Sequence, residues 1–212
     1  MEGVPNRKTV MRYAIITGSH RKGSQSTKVA KFIEQKILAA DVQNTSYFLD
    51  LAATPMPFWD EGFEASEQRW MDVWGDKSQS LASSDAIVIV TPEWGGMVTP
   101  AIHNFFLFCS RGELADKPGL AVAVSGSRGG TYPIASLRMA SGKNTQLCYI
   151  PQHIIVRNVE TVLNTEVNSG PADSRIRARI QYTIRVLAEY AKAFRHIRES
   201  GVIDLEAYPY GM

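Results

Sequence analysis

The stretch Tyr13-Ala14-Ile15-Ile16-Thr17-Gly18-Ser19-His20-Arg21-Lys22-Gly23-Ser24-Gln25-Ser26-Thr27 decides the fold. Its first five residues form an apolar run that reads as a buried strand. Beyond Thr27, Val29, Phe32, Ile33 and Ile37 fall at helical spacing. A strand, a hydroxyl-rich glycine turn and a helix in that order make an anion site. The helix start offers unpaired backbone N–H groups and the positive end of its dipole. Ser19, Ser24, Ser26 and Thr27 add hydroxyls, and Arg21 adds a guanidinium fork suited to phosphate oxygens. Gly18 and Gly23 have the GxxxxG spacing of a nucleotide P-loop, but Ser24 and Gln25 stand where Lys and Ser/Thr are required. No GxGxxG fingerprint is present either. The loop suits one terminal phosphate held by several hydroxyls; a plain capped strand–helix turn is the alternative.

Outward from this stretch the elements alternate. Strands are expected at about 10–17, 45–49, 86–90 and 119–124, with a fifth near 154–156. Helices are expected at about 26–39, 65–81, 99–109 and after Gly130, with a last one over 173–199. The run Ala86-Ile87-Val88-Ile89-Val90 is continuously apolar and β-branched, as in a strand covered on both faces. Alternation of this kind predicts an α/β fold with a doubly wound parallel sheet of five strands and helices on both faces. Ligands of such sheets bind beyond the carboxyl ends of the strands, where the strand order reverses. The loops after strands 1, 3 and 4 should therefore converge on one site.

Composition narrows the classes. At 212 residues the chain suits one domain, expected over residues 10–200 between a flexible extension (1–9) and a short tail (201–212). Lys plus Arg is 23 against Asp plus Glu 21, too even a balance for nucleic acid as the main partner. No apolar run approaches the roughly 18 residues of a membrane span, and the first residues lack the apolar core of a signal peptide. The two cysteines, Cys109 and Cys148, form no metal-ligand spacing and read as free thiols of a cytoplasmic protein. No metal site is expected. Two isolated cysteines also cannot hold an iron–sulfur cluster.

Two further loops carry unusual chemistry. Pro92-Glu93-Trp94-Gly95-Gly96 combines an aromatic ring with two glycines that let backbone approach a flat ligand. Ser125-Gly126-Ser127-Arg128-Gly129-Gly130 again sets backbone N–H groups at a strand end, with Arg128 either on a second substrate's phosphate or solvated.

Together the three loops resemble those of the NADPH-dependent FMN reductase family of flavodoxin-like proteins, over roughly residues 10–156. That family has a GSxRxxS loop after strand 1, a PEYN-type loop after strand 3 and a glycine-rich loop after strand 4. The resemblance implies bound FMN, with Ser19, Arg21, Ser24, Gln25, Ser26 and Thr27 around its phosphate. It implies Pro92, Glu93, Trp94, Gly95 and Gly96 along the isoalloxazine, with Ser125, Gly126, Arg128, Gly129 and Gly130 completing the site. Trp94 stands where the family has Tyr, which keeps an aromatic wall. Gly95 stands where it has Asn, which removes a side-chain amide.

The implied activity is hydride transfer from NADPH or NADH through FMN to a small-molecule acceptor: a quinone, an azo compound, a metal oxyanion or a flavin. The chemistry then belongs largely to the cofactor, and no catalytic side chain is expected. His20 and His103 read as surface or structural residues, and Glu93 as a partner for loop backbone. Two rivals remain at this stage: a flavodoxin-type electron carrier without nicotinamide turnover, and a non-enzymatic binding or regulatory protein on the same fold. The resemblance also implies a homodimer or homotetramer. Phe58, Trp59, Phe63, Phe105 and Phe106 are the candidate contact residues, with internal packing as the alternative.

Overall fold

A computed structural model describes residues 10–210, so the expected extension at 1–9 lies outside the described residues. Five strands, β1 (Arg12–Thr17), β2 (Thr45–Asp50), β3 (Ala86–Pro92), β4 (Pro118–Val124) and β5 (Cys148–Val156), form one sheet. They run parallel throughout, in the order β2-β1-β3-β4-β5. Five helices connect and cover them: α1 (Gln25–Ala40), α2 (Gln68–Ala82), α3 (Pro100–Phe108), α4 (Thr131–Ala140) and α5 (Pro171–Glu199). This is the flavodoxin-like α/β architecture.

The alternation of side chains along each strand divides the core in two. Tyr13, Ile15, Val88, Val90 and Val122 point to the layer of α1 and α5, where Ile33, Ile37, Ile180, Ile184 and Leu187 cover them. Ala14, Ile16, Ile87, Ile89, Ala121 and Ala123 face α2, α3 and α4. The alanines on this second face leave room for Trp70, Trp74, Phe105 and Phe108, which stack at centroid separations of 5.1 to 5.9 Å.

Three expected boundaries move, each for a local reason. α2 starts at Gln68 and not near Ala65, because Ser66 adopts φ 56°, outside the right-handed helical region. β5 is nine residues long and not three; Pro151 sits in it, tolerated because the strand is at the sheet edge. Its register against β4 shifts between Gly119 and Ala121, which blurs the apolar pattern in sequence. α5 starts at Pro171, the first helical position where proline's missing N–H costs nothing.

α5 carries six arginines, and several of them are held by partners within the protein. Arg195 and Arg198 both donate to the nearly buried carboxylate of Asp85, which also accepts the Arg12 backbone N–H at 2.9 Å. Arg177 donates to Asp173 one turn earlier on the same helix, at 2.9 Å. Both cysteines are free thiols, Cys109 fully buried.

Candidate functional site

The chain leaves β1 toward β2 on one side and reaches β3 on the other, so the order reverses between β1 and β3. Loop 1 (18–24), loop 3 (93–99) and loop 4 (125–130) all leave carboxyl ends of strands around this point.

Loop 1 is built under constraint. A Cβ at Gly18 would overlap the Ile102 side chain, so only glycine lets α3 pack here. The Thr99 hydroxyl, at the start of α3, donates to the Gly18 carbonyl at 2.6 Å and ties loop 1 to loop 3. Gly23 takes φ 62° and turns the chain into α1. Ser24 is the N-cap: its hydroxyl oxygen accepts the Thr27 N–H at 3.1 Å. The Thr27 hydroxyl donates to Asp50 at the end of β2, 3.0 Å away, and lies 2.9 Å from the Ser24 hydroxyl. Since the carboxylate only accepts, the Ser24 proton goes to Thr27 and the Thr27 proton to Asp50. These two hydroxyls are engaged within the protein and shape the loop.

Other donors remain free. Among the described residues the backbone N–H groups of Gln25 and Ser26 and the Ser26 hydroxyl have no protein partner. They sit at the positive end of a 16-residue helix. Ser19 accepts the Arg21 N–H at 3.2 Å, leaving its own proton unspent. Lys28, by contrast, is committed elsewhere: its ammonium donates to the Val159 and Val162 carbonyls and to Asn164. Burial lowers its pKa, against the pull of Glu160 and Asp173.

Loop 3 is a two-residue hairpin. Trp94 and Met97 exchange backbone hydrogen bonds at 3.0 and 3.1 Å, and Gly95 and Gly96 between them take φ 56° and 77°. Positive φ at both central positions is the type I′ geometry, for which Asn-Gly and Gly-Gly are both favoured. The loss of the family's Asn therefore leaves the turn intact. The Trp94 ring turns back onto loop 1. His20 meets it edge-on at 4.4 Å between centroids, and the Arg21 guanidinium lies 4.6 Å over it.

Loop 4 is braced from behind. The Glu93 carboxylate accepts the Gly130 N–H, and a Cβ at Gly129 would overlap that carboxylate. The Arg157 guanidinium donates to the Gly129 carbonyl at 3.0 Å, and the Asn158 N–H donates to the Ser127 carbonyl at 2.9 Å. The Ser125 hydroxyl oxygen accepts the Ser127 N–H at 3.2 Å. Gly126 and Arg128 are exposed.

Beside the hairpin lies a hollow of about 870 Å³, lined mostly by apolar groups including Trp94, Met97, Tyr132 and Met139. His103 borders it from α3. The loops thus offer free N–H donors and an arginine at one end, and open glycine backbone with an apolar hollow at the other. That donor set fits FMN, a phosphate joined to a flat ring. The family model for NADPH-dependent FMN reductases matches residues 11–161.

The chain belongs to the NADPH-dependent FMN reductase family. As a member it is an oxidoreductase that uses FMN with a reduced nicotinamide as co-substrate. It is 24% identical over 190 residues to an NADPH azoreductase of Bacillus sp. (strain OY1-2), covering 89% of this chain and 97% of that protein. The fold is similar to an oxidoreductase of Corynebacterium diphtheriae, with TM-score 0.69, 17% identity, and coverage of 87% of this chain and 98% of that one. It is also similar to the flavoenzyme NAD(P)H:(acceptor) oxidoreductase FerB of Paracoccus denitrificans, with TM-score 0.67, 18% identity, and coverage of 87% and 99%.

Sequence reasoning missed residues that hold this reductase's loops in place from neighbouring elements. Asp50, Thr99, Arg157 and Asn158 are of that kind. No local motif marks them, because each acts on a loop distant in sequence. Among the described residues no three His, Cys, Asp or Glu side chains converge on a metal position. No helix among them is long and apolar enough to cross a membrane.

Proposed function

We propose that this reductase passes a hydride from NADPH or NADH through FMN to a flat, apolar small molecule, with a quinone or azo compound preferred over a metal oxyanion. The observation that carries the preference is the apolar hollow beside Trp94, Gly96 and Met97, which suits an aromatic acceptor better than a hydrated oxyanion. When bound, FMN supplies the two-electron chemistry.

The chain's own residues bind and orient. The N–H groups of Gln25 and Ser26, the hydroxyls of Ser19 and Ser26, and Arg21 hold the phosphate. Ser24 and Thr27 keep those donors aimed through their bonds to each other and to Asp50. Gly95 and Gly96 admit the ring to close backbone contact, and Glu93 fixes the loop 4 backbone of Gly129 and Gly130 behind it. Pro92, Ser125 and Gly126 complete the rim, and Arg128 serves the nicotinamide co-substrate. Glu93 is engaged by the Gly130 N–H and His20 packs edge-on against Trp94 at the exposed rim; neither is cast as a proton donor.

Visible absorption of the purified protein, before and after NADPH under anaerobic conditions, tests the assignment. A flavin band that bleaches on NADPH and recovers with a quinone is the expected result. A flavin band that NADPH leaves unchanged would identify an electron carrier. A colourless protein that refuses FMN would identify the non-enzymatic alternative.

A homodimer is part of the same proposal. Phe63 and Phe105 are buried internally and cannot serve a contact, but Phe58 is 80% exposed. With Met97, Tyr132 and Met139, exposed by 64%, 72% and 84%, it borders the hollow and offers an apolar face to a second copy. Light scattering at micromolar concentration should give twice the chain mass; a monomer would overturn this.

A further inference from the structure

The Arg21 guanidinium rests on the face of Trp94, 4.6 Å from the ring centroid, and makes no hydrogen bond or ion pair with a protein group among the described residues. We infer that Trp94 is a positioning residue for Arg21, so that recognition of the flavin's phosphate depends on an aromatic ring in the loop that carries the flavin's ring. The inference rests on loop 1 being the phosphate seat.

An exposed arginine samples many rotamers, and holding it in one carries an entropy cost at the moment of binding. A ring face beneath the guanidinium removes much of that cost in advance. Trp94 is suited to the task because its own backbone is fixed. It closes a two-residue hairpin through reciprocal bonds with Met97, and Gly95 and Gly96 both hold positive φ. His20 packs edge-on against the same ring and limits its rotation. Three side chains from two loops thus make one unit, and its exposed donors are those of Arg21. The ring contact spends none of the guanidinium's five N–H groups on a protein acceptor, so they remain available to a phosphate.

The test compares FMN with riboflavin, which differ by the phosphate alone. Equilibrium dialysis of the apoprotein gives both dissociation constants without relying on turnover or ring fluorescence. Wild-type protein should prefer FMN by about tenfold or more, the scale of charge-assisted phosphate bonds. Arg21→Ala should narrow that ratio. Trp94→Leu keeps apolar bulk but has no π face, and should narrow it about fivefold; Trp94→Phe should restore most of it. In the Arg21→Ala background, Trp94→Leu should leave the ratio unchanged.

A Trp94→Leu variant that weakens FMN and riboflavin equally would overturn the inference and make Trp94 only a wall for the ring. So would an unchanged ratio. Equal wild-type affinity for FMN and riboflavin would instead remove the phosphate seat itself, a separate failure.

Discussion

The carboxylate of Glu93 accepts the backbone N–H of Gly130, joining the loops that leave β3 and β4. The same carboxylate lies where a Cβ at residue 129 would sit. Glu93→Ala should cost about 1–3 kcal/mol, the penalty for leaving the Gly130 donor unpaired. Gly129→Ala should destabilise wild type by a similar amount, but much less in a Glu93→Ala background, where the clash is gone. Urea unfolding of the four proteins measures the coupling. Additive losses would show that the two residues do not act through each other.

The hairpin at Gly95 and Gly96 predicts an asymmetry between substitutions. Gly95→Asn should alter stability by less than about 0.5 kcal/mol, because Asn accepts the left-handed conformation. Gly95→Val should cost about 1–3 kcal/mol, since a β-branched side chain is strained at φ 56°. Thermal unfolding of both variants checks this; equal losses would argue against the type I′ turn.

Asp85 lies at the amino end of β3, the opposite end of the sheet from the site. Its side chain is 9% exposed, yet it carries two arginines of α5 and the Arg12 N–H. Asp85→Ala leaves both guanidinium groups half-buried without a carboxylate and should cost about 3–5 kcal/mol. Replacing Arg198 alone should cost less, because Arg195 keeps its contact with Asp85. Chemical denaturation separates the two outcomes.

Acid stability should depend on Asp173. Burial pushes its carboxyl up, but the N–H groups of Leu163 and Ser169 and the Arg177 guanidinium outweigh this and hold it at about 2. Its folded pKa is thus depressed below the ordinary carboxylate value. The stabilisation is fully present above about pH 4 and is lost as pH falls toward 2. With the residue 2% exposed, the contribution is on the order of 1–2 kcal/mol. Asp173→Asn should lower stability at pH 6 by that amount and flatten its fall between pH 4 and pH 2. Denaturation midpoints across that range test it, and parallel curves for the two proteins would contradict it.

Much of this protein was determined by the sequence itself. The short β-branched run 86–90 suits a strand covered on both faces, and the spacing of Ile180, Ile184 and Leu187 suits one stripe of a helix; both form as read. Gly18 to Thr27 carries its own evidence for an anion loop, because caps, glycine turns and helix starts are local devices. What the sequence left open is which donors in that loop stay free. Ser24 and Thr27 look no different from Ser26 in the chain, yet Asp50, 23 residues beyond Thr27, draws their protons inward. The burial of Phe63 and Phe105 beside exposed Phe58, and the seating of Arg21 on Trp94, were likewise settled only by tertiary structure. Local periodicity fixes an element and its buried face. Which polar groups remain for a ligand depends on partners brought close by folding, and no spacing along the chain encodes that choice.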